Sequence, residues 1–164
     1  MTPSPSCLPS RVDKFSIQET AIDLTALRKE MEDPTCGAIV SFEGLVRNHH
    51  EGRDVTALNY THHPLMAEKE GQRILEKTLE KFPITHALAV HRIGDLEIGD
   101  IAVVTLTASA HREAAFEANR YLIDLIKHQV PIWKFETYAD GEQEWTEPCP
   151  VSYTHLTLPT MFEV

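Results

Sequence analysis

Lys127 and Lys134 stand in the stretch LIKHQVPIWK, among Leu125, Ile126, Val130, Pro131, Ile132 and Trp133. Taking an ammonium out of water is costly unless something compensates, so cations in an apolar run either reach back to solvent or await an anion. A desolvated lysine gives up its proton more readily and can serve as acid, base or amine nucleophile. The plainer alternative for Lys127 is that a lysine in the last turn of a helix complements the negative end of the helix dipole. Lys134, between Trp133 and Phe135 on an expected strand, points opposite to both and faces either solvent or a cleft.

Other cations fall where anions are commonly bound. In TASAHREAAFEANRYLIDLIKH a strand runs into a helix through Ser109. With Ser109 as N-cap, His111 and Arg112 lie in the first turn, beside unpaired N–H groups and the positive dipole end, a setting for phosphate or carboxylate. The plainer reading makes Ser109 only a cap and Arg112 a surface residue. Down the same helix, Phe116, Arg120, Ile123 and Lys127 have the spacing of one stripe. Arg47 closes the strand IVSFEGLVR just before Asn48, His49 and His50. His62 and His63 raise the question of a metal, but adjacent strand residues point to opposite faces and no Cys or carboxylate completes a ligand set, so no metal is expected.

Familiar catalytic devices are missing. Without GxSxG, GxxxxGK[ST] or GxGxxG, a serine hydrolase, a P-loop enzyme and a dinucleotide-binding fold have no support. Cys7, Cys36 and Cys149 are scattered, without CxxC spacing and with no evident base beside them. Any sulfur chemistry must therefore draw its sulfur from elsewhere, and no cofactor is indicated.

The elements that must position these side chains can be read from pattern. The 164 residues, 42% hydrophobic and 24% charged, suit one ordinary soluble domain. A net charge of -10, from 25 Asp+Glu against 15 Lys+Arg, argues against wholesale binding to nucleic acid or an anionic membrane but permits a local basic pocket. MTPSPSCLPS lacks the regions of a signal peptide, and no run approaches the roughly 18 apolar residues of a membrane helix, so a cytoplasmic protein is expected. Residues 1–12 read as a disordered leader, 13–150 as a single domain, and 151–164 as a non-native tail.

KFSIQ alternates as a strand. DLTALRKEMED has helical spacing with Asp23 as cap. Residues 36–62 read as a hairpin with a long loop, and Pro64 opens a helix through Lys81 with Met66, Ile74 and Leu75 as its apolar positions. ITHALAVHRIG is a strand, DLEIGD a turn, and IAVVTLTAS a long central strand. A third helix runs from about Ala110 to His128, Pro131 ends it, and a last pair of strands meets at Asp140-Gly141. Strands both in hairpins and separated by helices argue for an α+β domain over a doubly wound α/β sheet.

Four motifs, GAIVSFEGLVRNHH, HRIGDLEIGD, TASAHREAAFEA and LIKHQVPIWKFE, stand in the order and spacing of the MoaE family, the large catalytic subunit of molybdopterin synthase. The resemblance covers about residues 13–147. It implies a hammerhead-type α+β domain with a mixed or antiparallel sheet and about three helices. It also implies a homodimer that forms a heterotetramer with a small ubiquitin-like sulfur-carrier subunit. That partner's C-terminal Gly-Gly thiocarboxylate would supply two sulfurs to cyclic pyranopterin monophosphate, giving molybdopterin in molybdenum cofactor biosynthesis.

Carried over by motif, Lys127 resembles the principal catalytic lysine and Lys134 a second catalytic or substrate-binding one, flanked by Phe135 and Glu136. Arg47, with the backbone around Leu45 and Val46, and His111 with Arg112 resemble contacts to substrate and its phosphate; Phe42 is similar to an aromatic residue near the family's pocket. Two rival readings are a noncatalytic anion-binding scaffold homologue and an unrelated Schiff-base lysine enzyme.

Overall fold

The computed structural model describes residues 10–146, so the expected tail and most of the expected leader fall outside it. Three helices are described: α1 (Leu24–Glu30), α2 (Pro64–Lys81) and α3 (Arg112–Gln129). The strands are β1 (Asp13–Gln18), β2 (Ala38–Leu45), β3 (His49–His50), β4 (Arg53–His62), β5 (His86–Arg92), β6 (Gly94–Leu96), β7 (Ile101–Ser109), β8 (Ile132–Tyr138) and β9 (Gln143–Thr146).

They build two sheets. The first has the order β1-β5-β7-β2, with β1 parallel to β5 and the other pairs antiparallel. The second runs β3-β4-β8-β9, and β6 pairs with β4. This is the expected α+β architecture with a mixed sheet and three helices.

Local chemistry sets the helix boundaries. The Asp23 carboxylate accepts from the Ala26 N–H at 3.2 Å and caps α1. Helix α2 opens on Pro64, whose missing N–H is no loss there, and His63 Nδ1 accepts from the Met66 N–H at 3.3 Å.

The structure corrects several expectations. Residues 36–62 are not a hairpin: β2 pairs with β7 in the first sheet, while β4 pairs with β8 in the second. Alternation identifies a strand but not its partner, and Val46, buried between the sheets' segments, is where the chain passes from one to the other. The DLEIGD segment is only partly a turn, since Asp95 and Leu96 belong to β6. Met66 is exposed; α2 buries Ala67, Gly71, Ile74, Leu75, Thr78 and Leu79 instead.

Three apolar clusters hold the fold. One packs α2 and α3 on the face of the first sheet carrying Phe15, Ala87 and Ala89, and a second packs α1 under the opposite face with Leu88, Val90, Val104 and Leu106. The third, around Val55, Leu58, Leu96 and Tyr138, belongs to the second sheet. Gly71 lets α2 lie against the Phe15 ring, which a Cβ there would strike. Helix α3 is fixed by buried Asn119, whose amide donates to Val40 O at 2.9 Å and Thr105 O at 3.1 Å while accepting from the Thr105 hydroxyl at 2.9 Å. That clamp ties α3 to β7 and β2 and so sets where its last turn emerges.

Candidate active site: a two-lysine cleft

Lys127 leaves the last turn of α3, and Pro131 ends the helix so that the chain turns at once into β8 and Lys134. Both lysines line one cleft with Tyr60, His91, Ile126, Val130, Ile132 and Thr146, enclosing about 60 Å³ of water-accessible space. Tyr60, Lys134 and Thr146 are direct cross-strand partners on β4, β8 and β9, so one row of the second sheet forms a wall. A wider recess adjoins it, bordered by Lys127, Val130, Pro131, Trp133, Trp145 and Thr146.

The two cations are held differently. Lys134 is 20% exposed and its Nζ lies 3.0 Å from Glu136 Oε1, a carboxylate 3% exposed. Glu136 Oε2 accepts in turn from the Tyr138 hydroxyl at 2.7 Å. Burial alone would push the Glu136 carboxyl up; the hydrogen bonds from Tyr138 and Lys134 and the charges of Lys134 and His50 outweigh it and hold the group below the usual carboxylate range. The same hydrogen bond, with burial and the nearby carboxylates, pushes the Tyr138 phenol up to about 12, while the Arg53 guanidinium stacked 3.6 Å over its ring opposes the rise. Lys127 is exposed at the cleft.

Not all of the expected site residues meet. His111 is the N-cap of α3 and Arg112 its first residue, and both line a separate open recess with Glu113, Phe116 and Glu117. At 1.5 Å per residue, Arg112 and Lys127 lie roughly 22 Å apart along the helix. Ser109 is not the cap: it is buried, and its hydroxyl donates to His111 O at 2.5 Å. Phe42, Leu45 and Arg47 are exposed on or just after β2, the edge strand of the first sheet. The Val46 side chain is buried, its N–H donates to Asp100 O at 2.9 Å and its carbonyl accepts from the Gly99 N–H at 2.8 Å, so its backbone is already committed. Phe135 packs on Trp145, with ring centroids 4.9 Å apart, on the face of β8 away from Lys134.

His91 and Tyr60 are cleft residues that the sequence reading passed over. His91 alternates with Val90, which faces α1, so period-two counting along AVHRIG puts it on the face under α2 and α3 where the cleft opens. Its Nδ1–H donates to Arg92 O at 2.7 Å, and the Tyr60 ring meets it edge-on at 5.1 Å between centroids. Burial pushes the imidazole down to about 4; the Arg92 carbonyl opposes this and the charges of Lys127 and His62 add to it.

Comparison with known proteins agrees with this architecture. A molybdopterin synthase catalytic subunit from Thermoplasma volcanium is 42% identical over 129 residues, covering 79% of this chain and 94% of its own length. The crystal structure of molybdopterin synthase from Staphylococcus aureus superposes with a TM-score of 0.75 at 39% identity, over 79% of this chain and 94% of its own. A chain in the complex of subunits 1 and 2 of molybdopterin-converting factor from Helicobacter pylori shares the fold at a TM-score of 0.67 and 21% identity, over 81% and 90%. Residues 17–129, which include Lys127 but stop short of Lys134, match the family described as MoaE protein, and the chain belongs to that family.

Proposed function

We propose that this chain is the catalytic subunit of a molybdopterin synthase, a sulfurtransferase converting cyclic pyranopterin monophosphate to molybdopterin. The sulfur arrives on the C-terminal thiocarboxylate of a small ubiquitin-like partner. The observation that carries the reading is the convergence of Lys127 and Lys134, from a helix end and a strand, on one cleft. A thiocarboxylate, a phosphate and the oxyanion of an acyl intermediate are all anions, and two ammonium groups converging on one cleft favour each of them.

In each transfer the thiocarboxylate sulfur attacks a pyranopterin carbon, forming the C–S bond. The breaking C–O bond gives its electron pair to oxygen, which takes a proton from a lysine ammonium. Water then cleaves the acyl–sulfur bond, leaving sulfur on the pterin and a carboxylate on the partner. Lys134, ion-paired to Glu136, suits hydrogen-bond donation to an anion rather than nucleophilic attack. Lys127, at the end of α3 on the same cleft, takes the proton-transfer role. Arg47, His111 and Arg112 serve as phosphate contacts, Arg47 following Leu45 at one end of the β2–β7 ladder and His111 and Arg112 following Ser109 at the other. Because one chain holds Arg112 and Lys127 so far apart, the homodimer is what can bring both kinds of site to one substrate. Exposed Phe42, Leu45 and Phe116 are apolar surface for that contact.

Among the described residues no helix is long and apolar enough to cross a membrane, and a cytoplasmic location suits a biosynthetic subunit with this chemistry. Lys127→Ala, mixed with thiocarboxylated partner and cyclic pyranopterin monophosphate, is expected to abolish dithiolene formation while keeping its fold and partner binding. Product at the normal rate would remove Lys127 from the mechanism, and borohydride trapping of a carbonyl substrate on Lys127 would favour the Schiff-base alternative.

A further inference from the structure

His91, next to last in β5, stands beside the two lysines, and its ring nitrogens have unequal fates. Nδ1 carries the proton, since its partner is the Arg92 carbonyl at 2.7 Å, and Nε2 therefore carries the lone pair. The residue is 8% exposed, and what it exposes lines the cleft. The charged groups facing it are Lys127 from α3, Lys134 from β8 and His62 from β4, with the Tyr60 ring against its edge.

Lys127 and Lys134 can only donate hydrogen bonds, and the hydroxyls of Tyr60 and Thr146 can rotate to either role. His91 is fixed as an acceptor, because a second ring proton would place a buried cation among cations. A site that binds anions has no use for such a group. It does suit a ligand whose anionic part meets the lysines while a donor edge meets the imidazole. We propose that His91 is a specificity-determining residue of the cleft, its Nε2 accepting a hydrogen bond from an N–H or O–H of the bound pyranopterin. This rests on the function proposed above, but it concerns recognition and not sulfur transfer.

The test compares wild-type protein with His91→Leu and His91→Gln. Cyclic pyranopterin monophosphate binding is measured by calorimetry, and kcat and KM on the synthase reconstituted with its thiocarboxylated partner. The leucine variant is expected to weaken binding and raise KM about tenfold or more, with kcat changed less than about threefold, since a ligand donor is left unpaired. Glutamine, whose amide oxygen reaches the place of Nε2, is expected to recover binding to within about threefold. Both variants lose the bond to Arg92 O, so a merely structural role would move them alike. Should the leucine variant not fold, His91→Met supplies the same contrast.

Leucine binding within twofold of wild type, or glutamine no better than leucine, overturns the proposal. Wild-type protein that binds the pyranopterin but makes no molybdopterin overturns the sulfur-transfer reading alone, and the binding series still decides the role of His91. Wild-type protein that does not bind it overturns both.

Discussion

His86 and His91 stand at the two ends of β5 and on opposite faces of the first sheet, and they differ in how much of each ring the fold consumes. His86 accepts from the Val12 N–H at Nδ1, 2.9 Å away, and its Nε2 donates to Asp33 Oδ2 at 2.7 Å. Both nitrogens are committed, and the ring ties β1's entry and the end of α1 to the sheet. His91 commits one nitrogen and leaves the other at the cleft. The same residue type on one strand is thus a rivet at one end and a recognition group at the other.

The distinction also bears on Cys36, which lies with Asp33 and His86 in a group whose ligand atoms are within 4.8 Å of one another. No base stands beside any cysteine in the sequence, and the fold brings Cys36 close to a His86 ring whose two nitrogens are already engaged. A metal at His86 Nε2 would nonetheless need the ring either to lose its remaining proton or to give up the Val12 N–H, so the geometry describes a structural hydrogen-bond cluster.

The largest effect that would sharpen the contrast is expected from Lys134→Ala. It removes a cleft ammonium and leaves the buried Glu136 carboxylate with the Tyr138 hydroxyl as its donor, so turnover should fall at least about a hundredfold and stability by about 2 kcal/mol. Chemical denaturation beside the sulfur-transfer assay separates the two losses. A variant as stable as wild type would mean that Glu136 does not depend on Lys134.

Next comes a pH effect confined to the cleft end. The folded pKa of His91 lies below the unfolded value, so the unfolded chain binds the proton more readily. Its contribution is intact above about pH 6.5 and is lost as pH falls toward 4, amounting to about 3 kcal/mol over that window. His91→Leu should flatten the stability profile there; an unchanged profile would contradict the burial of a neutral imidazole.

A smaller change is expected from His86→Leu, which removes the rivet but touches no cleft group. The melting temperature should drop by on the order of 5 °C while kcat and KM of the folded protein stay as they were. Altered KM with unchanged melting temperature would invert the comparison. The smallest effect is expected from Gly71→Ala, about 1–2 kcal/mol through the Phe15 contact, with the cleft undisturbed.

Element types were largely legible because their signals are local. The Asp23 cap, Pro64 at the head of α2 and Pro131 after α3 mark boundaries through one residue's chemistry. Strand partners were not legible, since pairing of β2 with β7 and of β4 with β8 depends on contacts distant in sequence. In the same way, Lys127 and Lys134 were visible from an apolar neighbourhood and a proline between them. Glu136 as the buried partner of Lys134 could be guessed from strand periodicity, whereas Tyr60 and Thr146 reach the cleft only through cross-strand register. The Ser109 expectation failed because its hydroxyl found a backbone carbonyl within the turn, leaving His111 to begin the helix.

The most direct measurement of the central claim is reconstitution of the wild-type chain with a thiocarboxylated ubiquitin-like partner and cyclic pyranopterin monophosphate, read as molybdopterin formed. The two-lysine cleft predicts product carrying two sulfurs, with one partner carboxylate released per sulfur transferred. Pyranopterin bound at the cleft but recovered without sulfur, in the presence of competent partner, would contradict it and leave an anion-binding scaffold.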